Sequence, residues 1–165
     1  MDAAEIIRRL GLRPLGFEGG YYRETYRSSQ GIPSAALPGR YAGRRRLATA
    51  IYYLITPDSF SRLHRLRSDE IYHFYLGHPV NLVLLFPDGR RKTIRLGGGP
   101  AKGLEPQAVV PRGVWQGARL APGGRFALMG TTISPGFDFR DLELGGRASL
   151  VKEYPKHRNT IFDLT

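Results

Sequence analysis

The chain has 165 residues, a formal net charge of +11 and no cysteine. Its length suits one ordinary globular domain spanning 1–165; the missing cysteines exclude disulfides, thiolate metal sites and cysteine nucleophiles, and no run approaches the ~18 apolar residues of a membrane span. The positive charge comes almost entirely from arginine, and no nucleic-acid-binding motif accompanies it, so a basic surface is expected without nucleic acid as a partner.

The first sixteen residues, MDAAEIIRRLGLRPLG, hold acids near the start and no apolar core of signal-peptide length, so a cytoplasmic location is expected. Residues 3–10 (AAEIIRRL) form the one good short helix, with Ile6, Ile7 and Leu10 on one face, Asp2 as its cap and Gly11 as its stop. From there the signals are β. GGYYRETYR (19–27) is a tyrosine-rich strand after a Glu18-Gly19-Gly20 turn. Residues 29–46 are a loop by their Gly, Pro and Ser punctuation, and the RYAGRRR at its end reads as mobile, solvated surface with ligand phosphate contact as the lesser reading.

LATAIYYLITP (47–57) is a continuous apolar run that fits a strand buried on both faces. SFSRLHRL (59–66) alternates, EIYHFYLG (70–77) is an aromatic strand, and VNLVLLFPDG (80–89) with RKTIRL (91–96) make a hairpin around Pro-Asp-Gly. The glycine-rich 97–106 lacks the lysine-serine/threonine ending of a phosphate-binding loop. Two short strands flank Pro111-Arg112-Gly113 in 107–120, a long strand covers 125–135, and 137–155 is polar and partly helical at its end. Many short strands separated by Gly and Pro turns argue for a sandwich or jelly roll.

The chemistry concentrates in H-R-L-R-S-D-E-I-Y-H-F-Y-L-G, residues 64–77. Strand parity places Arg62, His64 and Leu66 on one face and sets His73 opposite Glu70. The segment resembles the first cupin motif, G-x5-H-x-H-x3/4-E-x6-G: His64 takes the first histidine position, Glu70 the glutamate and Gly77 the closing glycine. Pro111-Arg112-Gly113 matches the P-x-G of the second motif, with Gln116 where a histidine would stand. FEGGYYRETYRS (17–28), residues 49–77, VPRGVWQGARL (110–120) and SPGFDFRDLELG (134–145) are similar, in order, to the blocks of cupin family 5. The resemblance implies an all-β double-stranded β-helix with a short N-terminal helix, a homodimer, and a cavity lined by both motifs.

Metal-binding cupins hold a divalent ion with three histidines and a glutamate. Leu66 and Gln116 occupy two of the histidine positions, so no cofactor is expected; the lesser reading is a divalent metal on His64, Glu70 and Gln116 with waters. Without metal, His64 is the candidate general base and Glu70 its orienting or acidic partner. Arg62, Tyr53, Tyr72 and Gln116 are the candidate substrate contacts. The Arg62-x-His64 pair is similar to that of metal-free deoxysugar-nucleotide epimerases, which abstract a proton beside a carbonyl.

The expected partner is thus a small polar, sugar-like or nucleotide-linked metabolite. The reading favoured here is a metal-independent isomerase, epimerase or lyase. The alternatives are a small-molecule sensor without chemistry and a metal-dependent cupin with a degenerate site. Each residue also has a purely structural reading: Tyr53 and Tyr72 as core, Glu70 as partner of Arg62 or Arg65, Gln116 as inward filler, and Trp115 as packing with its N–H bonded locally.

Overall fold

Strands that alternate apolar and polar residues bury one face each, and two such sheets close on one another. The computed structural model describes residues 2–165 and shows this arrangement. In chain order its regular elements are α1 (Ala3–Leu10), β1 (Arg13–Pro14), β2 (Tyr21–Arg27), β3 (Gly31–Ile32), β4 (Arg45–Arg46), β5 (Thr49–Ile55), β6 (Ser61–Leu66), β7 (Asp69–Gly77), β8 (Val80–Leu85), β9 (Arg91–Leu96), β10 (Gln107–Val110), β11 (Trp115–Leu120), β12 (Ala127–Ser134), β13 (Leu142–Leu144), α2 (Arg147–Glu153) and α3 (Arg158–Asp163). One sheet runs β1-β2-β5-β12-β7-β10 and the other β13-β6-β11-β8-β9, with β3-β4 a separate pair. The named strands pair antiparallel, and Leu96 of β9 adds one isolated parallel bridge to Glu105. The core between the sheets takes Tyr53, Tyr72 and Met129 from the first and Leu82, Leu84 and Ala118 from the second. This is the jelly roll expected from the strand pattern.

α1 forms where its caps place it. The Asp2 carboxylate accepts the Glu5 N–H at 2.8 Å, and Gly11 ends the helix at φ 61°. Its Ile6 packs on Leu54, Phe126 and Leu128, the outer face of the six-stranded sheet. This explains the continuous apolar run of β5: Tyr53 and Ile55 face the core while Leu54 lies under the helix. The hairpin around Pro-Asp-Gly also forms, with Phe86 and Arg90 joined at 2.9 Å and Gly89 at φ 83°.

The helical end expected in 137–155 is α2, and a further helix, α3, follows it; together they place Leu150, Tyr154, Ile161 and Leu164 against Leu63, Leu85 and Trp115 on the outer face of the five-stranded sheet. Both are short, six or seven residues, so packing rather than propensity holds them. The basic run after residue 40 is not simply solvated surface. Arg45 is 2% exposed and grips Asp141 through Nε and Nη2 at 2.6 and 2.7 Å, while its Nη1 reaches the carbonyls of Ala42, Gly43 and Arg44 at 3.0 Å. No helix among the described residues is long and apolar enough to cross a membrane.

Candidate functional site

The site begins with an irregularity in β6. Gln116 of β11 is paired with His64, and Ala118 with Ser61. One residue of β11 therefore stands opposite two of β6, Arg62 and Leu63, which is a β-bulge. The extra residue changes the parity: Ser61 and His64, three apart, both turn inward, and Leu63 turns out into the layer under α2 and α3. The expected common face of Arg62, His64 and Leu66 is corrected on this point. Leu66 and His64 line the cavity, whereas Arg62 is half-exposed and does not. What Arg62 contributes is its main chain: its carbonyl accepts the His64 Nδ1–H at 2.8 Å, and its N–H donates to the Glu18 carbonyl at 2.8 Å.

The cavity measures ≈ 120 Å³. His64, Glu70, Tyr53 and Tyr72 line it, together with Glu18 and an apolar wall that includes Phe17, Ile51 and Ile133. Exposed Glu24, Arg27 and Phe139 border its outer end. Gln116 lies behind this wall. Its amide donates to Glu70 Oε2 at 2.8 Å, and its Oε1 is buried with no hydrogen-bond partner. His73 faces away from Glu70, as parity requires, and meets Thr132 and Gln107.

Glu18 is the residue that motif reasoning missed. It lies 46 positions before His64 in a turn that reads as backbone conformation only. Yet Ser61 Oγ donates to its Oε1 at 2.8 Å, and that oxygen stands 3.9 Å from His64 Nδ1. The turn is fixed by glycine. At Gly19, φ is +102° and a Cβ would come within 2.1 Å of the Phe60 carbonyl. The Gly19 carbonyl in turn accepts the Tyr53 hydroxyl at 2.9 Å. A carboxylate set directly before two positive-φ glycines at the head of an aromatic strand is the one sequence signal that pointed here.

His64 thus lies between two carboxylates, Glu18 on the Nδ1 side and Glu70 Oε2 at 4.0 Å on the Nε2 side. Neither contact is short enough for a hydrogen bond, so the attraction is coulombic in a buried site. Burial alone pushes the imidazole pKa down. The Glu18 charge, the contact and charge of Glu70 and the Arg62 carbonyl outweigh it and bring His64 up to about 9. Burial pushes the Glu18 carboxyl up, and Glu70 adds to this while His64 and Ser61 oppose it. Burial and the same two carboxylates hold the Tyr53 and Tyr72 phenols well above their ordinary range. At neutral pH the group is a caged imidazolium with neutral phenols around it.

A model of the family described as Cupin superfamily (DUF985) matches residues 4–145. The chain belongs to this family. An uncharacterized protein of Saccharomyces cerevisiae is 35% identical over 133 residues, which cover 75% of this cupin and 66% of the yeast protein. Two solved structures align over the whole chain: a hypothetical protein from Leishmania major (32% identity, TM-score 0.90, 99% of that chain) and a protein from Shewanella oneidensis (33%, 0.89, 98%). An oxalate decarboxylase from Bacillus subtilis shares the fold at 14% identity (TM-score 0.53, 90% of this cupin, 35% of that chain).

Cupins often carry a metal, and the donor set here does not suit one. His64 is the single imidazole in the cavity, and its Nδ1 is committed to a carbonyl. Glu18 approaches the Nδ1 edge of the ring and Glu70 the Nε2 edge, each too far for direct contact, at 3.9 and 4.0 Å. Gln116 turns its amide nitrogen, not its oxygen, toward Glu70, and Leu66 fills the second histidine position. Among the described residues no three His, Asp or Glu side chains are grouped to hold an ion.

Proposed function

We propose that this cupin binds a small polyhydroxylated metabolite, or the sugar-like end of a larger one, and moves a proton on it. The observation that carries this reading is the buried imidazole caged by two carboxylates at the edge of a cavity. A pocket of ≈ 120 Å³ takes a head group of about six non-hydrogen atoms, since an apolar cavity of roughly 150 Å³ takes benzene. Carboxylates beside aromatic and aliphatic walls suit hydroxyl donors on an otherwise apolar ring or chain. A nucleotide or other bulky part would have to lie outside, beyond Glu24, Arg27 and Phe139.

The caged imidazolium reverses the roles that an unperturbed histidine suggests. His64 is the proton donor, and the base is Glu18, whose proton affinity burial raises. Glu70, steadied by Gln116, holds the charge on His64. Tyr53 and Tyr72 remain neutral phenols, Tyr53 bracing the Glu18 turn and Tyr72 facing the cavity. The reaction class that fits is isomerisation, epimerisation or elimination next to a carbonyl.

Solvent deuterium tests this. Three- to six-carbon hydroxycarbonyl compounds, glyceraldehyde, dihydroxyacetone, erythrulose and the common hexoses, are incubated with the protein in D2O and read by NMR. The expected result is wash-in at one carbon next to the carbonyl, reduced at least a hundredfold in Glu18→Gln and His64→Gln. Saturable binding of a compound with no wash-in in the wild type overturns the catalytic reading in favour of a sensor or carrier. The homodimer belongs to this proposal too: Tyr75, Leu76 and Val109 are exposed on the outer face of the six-stranded sheet beyond α1. Light scattering should give twice 18.4 kDa.

A further inference from the structure

Beside the cavity lies a second concavity of opposite charge. It measures ≈ 530 Å³ and carries Arg40, Arg65, Arg67, Arg112 and Arg140 around Leu66, Asp141 and Glu143. Leu66 is the wall common to both spaces, and consecutive residues Phe139 and Arg140 border the cavity and the cleft respectively.

The charges in the cleft are not balanced within it. Arg65 is paired with Glu143, Arg140 with Asp138, and Asp141 is used up by the buried Arg45. Arg40, Arg67 and Arg112 make no ion pair among the described residues. Two of the three are nonetheless held together. Arg40 Nε donates to the Arg67 carbonyl, and Arg67 Nη1 donates to the Arg40 carbonyl. The Tyr41 hydroxyl ties the same two segments, donating to the Arg67 carbonyl at 3.1 Å and meeting Ser68 Oγ at 2.9 Å. Arg112 is set beside them by the P-x-G turn, where the Gly113 N–H donates to the Leu66 carbonyl at 2.8 Å. The Arg112 main-chain N–H also donates to Asp69 Oδ1 at 2.7 Å, but the three guanidiniums have no ion pair of their own and repel each other, and a multiply charged anion between them removes that repulsion.

We propose that this cleft is an anion subsite that holds the phosphate or diphosphate of the cupin's ligand. Guanidinium forks match phosphate oxygens two at a time, and the volume holds a diphosphate with room for a linked group. The cavity and the cleft would then take the hydroxylated and the phosphorylated parts of one molecule on either side of Leu66. The identity of the hydroxylated part rests on the reading of the cavity given above; the anion site does not, and is tested separately.

The probe is inorganic pyrophosphate, titrated calorimetrically into the full chain at 150 mM NaCl. The expected result is saturable one-to-one binding, weakened at least fivefold by Arg67→Gln and by Arg112→Gln. Arg112→Lys, which keeps the charge and loses the fork, should fall between. Arg8→Gln, on the exposed face of α1, removes the same charge elsewhere and should leave the affinity unchanged. Equal weakening by Arg8→Gln and Arg112→Gln, or no weakening by either cleft substitution, overturns the proposal by reducing it to the general field of a +11 chain. So does a chain that ignores pyrophosphate but binds single-stranded RNA with a salt dependence of several phosphates. A thermal melt of each variant establishes that it is folded, and exposed Arg112, whose side chain makes no ion pair, is the variant on which the outcome turns.

Discussion

Two buried charge clusters in this cupin are built to opposite designs. In the cluster of Arg45 and Asp141, both carboxylate oxygens are taken at 2.6 and 2.7 Å and three carbonyls take what remains of the guanidinium. In the cluster of Glu18, His64 and Glu70 the charges stand 3.9 and 4.0 Å apart and no hydrogen bond joins them directly. The first is saturated and seals the 40–46 segment onto the 138–142 segment. The second keeps unused capacity, and that unused capacity faces a cavity. The difference separates charge that holds a fold from charge that is available to a ligand.

The largest expected effect comes from breaking the saturated cluster. Arg45→Met leaves Asp141 buried and alone, and urea unfolding should show a loss of about 3–5 kcal/mol. Arg45→Met with Asp141→Leu should recover most of that loss, because no bare charge remains. If the single and double variants lose the same amount, the pair is not what makes this region stable.

The open cluster should reveal itself through pH. Because the folded pKa of His64 is raised above its unfolded value near 6.5, its contribution to stability is fully present below pH 6.5 and is lost as pH rises through about 9. Glu18, also raised, acts with the same sign: its ionisation opposes folding, so stability again falls as pH rises. The stability of the free protein should therefore decline with a magnitude on the order of 3 kcal/mol across that window. In His64→Gln the part of the decline that belongs to the imidazole should vanish while the Glu18 part remains, and a wild-type curve that is flat from pH 6 to 10 removes the caged imidazolium from consideration.

Smaller effects sharpen the contrast. Trp115 Nε1 is buried without a partner, contrary to the local bond expected for it, while the Arg65 guanidinium lies 4.5 Å over its ring. Trp115→Phe removes an unsatisfied donor and weakens a cation–π contact, so the net change in stability should stay within about 1 kcal/mol. The smallest effect is expected at Arg90–Asp88, which has the same 2.6 Å contact as Arg45–Asp141 but lies on the surface. Arg90→Ala should leave the melting temperature unchanged within error, since water screens what the interior does not.

The spacing of His64, Glu70, Gly77, Pro111 and Gln116 made the jelly roll legible, and the structure does bring His64, Glu70 and Gln116 together around one carboxylate. Tyr53 and Tyr72 were legible as wall because alternation holds around them; the irregularity in β7 falls later, at Tyr75 opposite Leu128 and Met129. Arg62 was not, because parity arguments assume an unbroken ladder and β6 breaks it. Glu18 was hidden for a different reason: a turn residue enters a site only through tertiary contact, and nothing in its neighbourhood repeats. Arg45 was hidden because composition near it, four arginines in seven residues, speaks for solvent, while its partner Asp141 is 96 residues away. The helical end of 137–155 was legible and is α2, whereas α3, six residues long, is too short for its period to stand out.

The bulge in β6 lets two residues three apart in sequence share the inward face. An unbulged ladder over the same residues would put Ser61 and His64 on opposite faces; the extra residue lets both face inward while Leu63 packs outward among Leu150, Tyr154 and Leu164. Gly117, opposite the bulge, allows the crowding: a Cβ there would come within 3.1–3.3 Å of Ser61, Leu63 and Leu164. A side chain at position 117 would press directly on the bulge and on Ser61 beside His64. Shortening the strand by one residue there would leave Ser61 and His64 two apart and still inward, and would cost one of the two outward positions that Arg62 and Leu63 now fill.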